Sequence, residues 1–369
     1  MNFTTLFVFG FISILAFLLE TMYHNRRLNA SSEIQNIYNK RNNLLLFLAL
    51  FLASALRSPN TGADTGGYYG LYKVILRGSN GVGYYWNVMV DSIKDGSFSD
   101  NLFWNFFNRV LAIIIKNPQL WLAIISGLFL LGSYITIERY SKDAAMSWIY
   151  ILCVFIYTFI LQGLRQSLSM MVILLSLKYV YEKKLSKFLL CIGIAYLFHN
   201  SSILFIIVYP LRRMKANKLY FGVIAGAFAL FTLFSSLGLS ILTSLSENTR
   251  FTSYLDRSGI YTISGWFILF VIFSFCFYLK KQAVQDDDKV NLLFTLSMLG
   301  LVVQSAAGVV AEMFRLSYYF NMFNMLLVPN CIQSIRNDRI RKQYSIAVML
   351  AFLAYFWYCG AYGYWFFWE

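Results

Sequence analysis

The chain has 369 residues, of which 59% are hydrophobic, 19% aromatic and only 13% charged, with a mean hydropathy of +0.58. That composition excludes a soluble enzyme and predicts an all-α polytopic membrane protein. The net charge of +14 is no nucleic-acid footprint, because the basic clusters fall in short loops between apolar segments, as membrane topology alone demands.

Phe3 to Leu19 is the first expected span, an anchor rather than a signal peptide, since no small-x-small cleavage site follows it. The next loop carries Arg26, Arg27, Lys40 and Arg41, which sets it inside and the N-terminus outside. Leu44 to Leu56 returns outward. Residues 57–117 then form one large external loop, and eight of the 22 glycines fall between Arg57 and Asn101, too many for regular helix. An amphipathic helix is expected near Leu102 to Ile115. Further spans follow at Gln119 to Ile137, Met146 to Gln162, Arg165 to Tyr181, Tyr220 to Leu239, Ser264 to Leu279, Leu292 to Gly308, Leu316 to Cys331 and Ser345 to Gly360. A second external loop covers 240–263. The expectation is one integral membrane domain, 1–369, with ten full transmembrane helices.

Between the spans ending at Tyr181 and beginning at Tyr220 lie two short apolar pieces, Phe188 to Phe198 and Ile203 to Leu211. At ~1.5 Å per residue they reach roughly 16 and 14 Å, against a hydrocarbon core of ~30 Å. Lysines precede them at 183, 184 and 187, and basic residues follow at 212, 213, 215 and 218. Residues 186–211 are therefore predicted to be a re-entrant hairpin with His199 at its tip, facing a polar cavity.

Of the 31 Lys and Arg, 21 fall on the side assigned inside and ten outside, and seven of those ten are Arg. A phosphate or carboxylate ligand accounts for that preference, because guanidinium offers a planar fork to oxyanions. The five cysteines lie inside apolar segments without metal-like or disulfide spacing. No Walker motif, cofactor motif or metal-ligand cluster is present, so no cofactor and no metal are expected.

Ionisable and tyrosine side chains from separate segments converge on the expected outer side. Arg57, Asp64 and Tyr68 lie in the Gly-rich stretch RSPNTGADTGGYYGLY, Arg165 and Gln166 open a span, and His199 sits in a chain with only two histidines. Arg250 and Tyr254 lie in the second external loop, and Glu312, Arg315 and Tyr318 open a late span. Each has a plain alternative: Arg165 snorkelling to headgroups, His199 a hydrogen-bonded core residue, Asp64 an Asx turn, Glu312 with Arg315 a helix-face pair, and Tyr364, Trp365 and Trp368 an interfacial belt.

The run GLRQSLSMMVILLSLKYVYEKKLSKFLLCIGIAYLFHNSSILFIIVYPL resembles the EpsG-like branch of the Wzy polysaccharide polymerases, in which Arg-Gln opens a span and Phe-His with Ser follows some 30 residues later. GADTGGYYGLY resembles that family's N-terminal Asp-Thr-x-x-Tyr loop, and RLSYYFNMFNMLLVP its late Arg-containing span. The family's acidic position early in the periplasmic helix has no counterpart in Trp104 to Phe107. The resemblance implies a GT-C-like fold and a polymerase of O-antigen, capsule or exopolysaccharide, working at the outer face of the bacterial inner membrane. Its partners would be undecaprenyl-pyrophosphate-linked oligosaccharides, the lipid bilayer and a chain-length regulator. His199, Asp64 and Arg165 are the expected catalytic residues, with His199 or Asp64 as the base. Arg57, Gln166, Arg250, Tyr254, Arg315, Tyr318 and Tyr68 are expected at the substrate. A polysaccharide or lipid-linked sugar transporter, or an outer-leaflet glycan ligase or acyltransferase, are the competing readings.

Overall fold

A computed structural model describes residues 2–27, 31–97, 99–233, 260–283, 287–308, 313–360 and 363–369. Among these the secondary structure is helical, without a β-strand, and two compact units are formed: residues 1–204 with 338–369, and residues 205–337.

The first unit contains α1 (Phe3–Arg27), α2 (Ser32–Ala55), α3 (Thr65–Arg77), α4 (Val82–Lys94), α5 (Asp100–Ile114), α6 (Pro118–Tyr140), α7 (Ala144–Cys153), α8 (Ile156–Gln162), α9 (Leu164–Tyr181) and α10 (Leu185–Phe198). A 3-10 stretch, Asn200–Ile207, crosses into the second unit, which contains α11 (Val208–Leu211), α12 (Leu219–Leu233), α13 (Ile260–Ala283), α14 (Asp288–Ser305), α15 (Met313–Asn321) and α16 (Asn324–Ile332). The chain then returns to the first unit with α17 (Asp338–Cys359).

Among the described residues, two stretches are long and apolar enough to cross a membrane, Phe3–Tyr23 and Pro118–Tyr140, and α7 with α8 makes a third if that bent pair is one span. Helix α9 is less apolar because much of it is interior: Gln166, Ser167, Ser169 and Ser176 are buried against protein, so lipid does not set their polarity.

Three expected elements need correction. Met146 to Gln162 is not one straight helix but bends by 60° between α7 and α8, where Phe155 takes a left-handed φ of 60°. Its ring packs on Tyr355 and Phe356 of α17, which offsets a backbone cost of about 1–2 kcal/mol. Leu316 to Cys331 is likewise broken, between α15 and α16. The third correction is the glycine-rich external loop, which is largely helical. Gly66, Gly67 and Gly70 lie inside α3, and Gly83 inside α4.

Glycine costs a helix about 1 kcal/mol relative to alanine, and tertiary packing overrides that here. Tyr72 of α3 stacks on Trp121 of α6 at 4.5 Å and donates its hydroxyl to Ile115 O at 2.7 Å, while Arg109 of α5 donates to Ile75 O at 3.0 Å. The expected amphipathic helix is α5, begun by Ser99, whose side chain accepts from Asn101 N. Of the three C-terminal residues expected in an interfacial belt, Tyr364 is fully buried and donates to Ala53 O at 2.6 Å, whereas Trp365 and Trp368 are exposed. Residues 240–259 of the second external loop lie outside the described residues, and 260–263 form the first turn of α13.

The first unit has two chemically distinct ends. At one, Tyr23 donates to Lys142 O, Asn39 to Ser141 O, Lys40 pairs with Glu138 at 3.6 Å, and Tyr140 packs on Tyr181. This end collects Lys40, Arg41, Lys142, Lys183 and Lys184. At the other end Asn2 donates to Tyr364 O, Ser58 N to Trp365 O, and Gln119 to Arg57 O. Helices α9 and α10 connect the two ends.

Candidate functional site

Helix α9 begins at the less basic end, directly after Gly163, whose missing side chain admits the Phe159 ring; a Cβ there would lie 2.7 Å from it. Arg165 consequently sits in the first turn of a helix, where the dipole opposes a cation. Its guanidinium finds a compensating anion. Nη1 donates to Asp100 Oδ1 at 3.0 Å and to Asn101 Oδ1 at 2.6 Å, and Nε lies 3.5 Å from the Tyr68 hydroxyl.

Asp100 opens α5, a position that favours a carboxylate for the same dipolar reason. Its second oxygen, Oδ2, lies 3.2 Å from His199 Nδ1, at ion-pair distance but out of line for a strict hydrogen bond. The backbone N–H of Asn200 also favours the charged form of this carboxylate. Burial works against the Asp100 charge, but the contacts with His199, Arg165 and Asn200 outweigh it and hold the carboxyl below the usual aspartate range.

Helix α10 rises from the lysine-rich end beside α9 and stops at His199, whose extended backbone (φ −157°, ψ 117°) breaks the helix before the 3-10 stretch begins. Fourteen residues correspond to about 21 Å, which brings His199 level with the start of α9. Below it, Phe198 meets the edges of Phe103 and Phe107 at 5.1 and 5.2 Å, and Tyr68 packs on Trp104 at 5.7 Å. The cluster is open on the histidine side: side-chain exposure is 29% for His199, 19% for Arg165 and 12% for Asp100.

Of the expected site residues, the structure joins His199, Arg165 and Tyr68. Asp64 is exposed at the start of α3, one turn before Tyr68, and makes no capping hydrogen bond. Its loop is fastened to the chain just ahead of Arg165: Ala63 N donates to Gln162 Oε1 at 3.2 Å and Thr65 Oγ1 to Leu161 O at 2.8 Å. Gln166 is buried in α9. Arg57 is fully buried and donates to Ser54 O, Ser126 Oγ and Leu161 O at 2.7, 2.7 and 3.0 Å. It ties α2, α6 and α8 together. Arg315 and Tyr318 lie on α15 of the second unit, each beside Phe314. Arg250, Tyr254 and Glu312 lie outside the described residues.

Asp100 and Asn101 are the residues that sequence reasoning missed. An acid does open the helix before Trp104, four residues earlier than the stretch Trp104 to Phe107. The signal was present as Ser99-Asp100, a cap residue followed by a first-turn acid.

An all-helical membrane protein with an Arg–Asp–His cluster at one end of its first unit is the class that this fold and site define. The model of the EpsG family matches residues 43–364, and the chain belongs to that family. It is a polymerase-like membrane protein of polysaccharide biosynthesis. No curated protein and no solved structure matches the chain.

Proposed function

We propose that the protein polymerises undecaprenyl-pyrophosphate-linked oligosaccharide repeat units by glycosyl transfer at the outer face of the bacterial inner membrane. The observation that carries this reading is the Arg165–Asp100–His199 cluster, held at the end of the first unit opposite its lysine-rich turns. Positive loops stay in the cytoplasm, so the cluster opens outward, where lipid-linked repeat units are presented. Ten spans and a re-entrant hairpin over residues 186–211 belong to the same proposed topology.

In the transfer, an acceptor-sugar hydroxyl attacks the anomeric carbon of the donor. The new C–O bond forms as the bond from that carbon to the pyrophosphate oxygen breaks, and its electron pair leaves with undecaprenyl pyrophosphate. The hydroxyl proton passes to a base, for which His199 is the best placed group and Asp64 the alternative. Cationic groups stabilise the leaving pyrophosphate, and no metal is required for that. Arg315 and Tyr318, with Arg250 and Tyr254, are the remaining candidates for binding it.

The test is the lipid-linked glycan left in the membrane when the gene is deleted. Single repeat units are expected. Long lipid-linked polymer would instead identify a ligase, and single lipid-linked repeat units trapped at the inner leaflet a transporter.

A further inference from the structure

We infer that Asp100 is a positioning residue that holds the proton of neutral His199 on Nδ1 and so presents Nε2 to the acceptor hydroxyl. The inference rests on reading His199 as the base of the proposed transfer, and it adds which nitrogen acts and what orients it.

Asp100 is poorly disposed to be the base itself. One carboxylate oxygen is taken by Arg165 Nη1 at 3.0 Å and the other faces His199 Nδ1 at 3.2 Å, while the side chain is only 12% exposed. In this structure Nδ1 is out of line for a strict hydrogen bond to Oδ2, and a small rotation of the ring would align them. Because a carboxylate accepts hydrogen bonds and donates none, the nitrogen it faces is then the one that carries hydrogen. The remaining nitrogen is then a lone-pair acceptor. When Nε2 takes the hydroxyl proton, the ring becomes an imidazolium beside a carboxylate that is already in place, so little reorganisation accompanies the charge.

Arg165 completes the arrangement. Its Nη1 is shared between Asp100 and Asn101, and its Nε faces Tyr68, so it acts on the carboxylate before it acts on any ligand. Among the described residues, the charged group that faces His199 from the helices packed on α10 is Asp100 of α5, with Arg165 of α9 on the far side of that carboxylate. The Asn200 N–H, on the residue after the histidine, favours the charged form of the same carboxylate.

The chain's two histidines make a direct test possible. Full-length protein carrying His24→Gln and 15N-labelled histidine gives one imidazole, whose two nitrogen shifts report the tautomer without any substrate. At a pH where the ring is neutral, the Nδ1–H form is expected, and Asp100→Asn should shift the population toward Nε2–H, with Asp100→Glu restoring it. Asp100→Asn should also cut polymer formation about 10²- to 10⁴-fold. A wild-type ring in the Nε2–H form overturns the inference, as does a tautomer that Asp100→Asn leaves unmoved. If Asp100→Asn fails to accumulate, the wild-type tautomer alone decides. An Nδ1–H ring in a protein that builds no polymer would keep the positioning and overturn the polymerase reading, so the two failures are distinct.

Discussion

The first unit's two central arginines show how far one residue type can diverge under burial. Arg57 is fully buried and spends its fork on two carbonyls and a serine hydroxyl, whereas Arg165 is partly open and spends Nη1 on Asp100 and Asn101. Removing a partner from a buried polar group costs about 1–3 kcal/mol for each group left unpaired. Arg57→Met should therefore lower the amount of folded protein in the membrane. Arg165→Lys keeps charge but loses the planar fork, and should leave protein level intact while strongly reducing polymer length. Protein level on a quantitative blot and polymer length on a gel separate the two, and the reverse pattern would contradict both assignments. Asp100 adds a pH dependence. Its carboxyl is held low in the folded state, so its contribution to stability is full above the unfolded value of about 3.9 and is lost as pH falls through the folded one. The difference in thermal midpoint between wild type and Asp100→Asn should be largest near neutral pH and close in acid; a constant difference would remove the charge from the explanation. His199 and Arg165 were legible in the sequence because charged and imidazole groups are rare within apolar stretches. Asp100 was not, since an aspartate in a polar segment stands out by position alone, and Arg57 could not be told from a ligand-binding arginine without its burial.

Among the elements, those governed by local signals were the more legible. The amphipathic α5 was expected at Leu102 to Ile115 and is found at Asp100–Ile114. Helices α3 and α4 were hidden by their glycines, because what holds them is aromatic packing on α5 and α6 that no local pattern records. The bend at Phe155 was hidden for the same reason, since rings from α17, 200 and 201 residues on, secure it. The loop leading into α3 makes the opposite use of glycine. Gly62 has a φ of +94°, and a Cβ there would lie 3.0 Å from Gln162 Cβ, at the join that sets Asp64 and Tyr68 beside α9. Gly62→Ala should cost about 1–2 kcal/mol in backbone strain and loosen that join. A fall in thermal midpoint together with reduced polymer formation is expected; unchanged values in both would mean that the loop does not depend on this conformation.

For the molecule as a whole, membrane class and family were readable from hydropathy and motif order, and the EpsG family match over residues 43–364 bears out the second. Which side the site faces rests on the separation of charged ends. Single cysteines at Ser79, between α3 and α4, and at Ser186, at the start of α10, test it in a background lacking the five native cysteines. An impermeant maleimide on intact spheroplasts should label the first and spare the second, and the converse would invert the proposed topology. The most direct measurement of the central claim is glycan length in proteoliposomes supplied with undecaprenyl-pyrophosphate-linked repeat units, comparing wild type with His199→Asn. The wild-type protein should lengthen the lipid-linked glycan, and His199→Asn should leave single units while remaining folded. Movement of repeat units across the bilayer without growth, or full-length polymer from the variant, would contradict it.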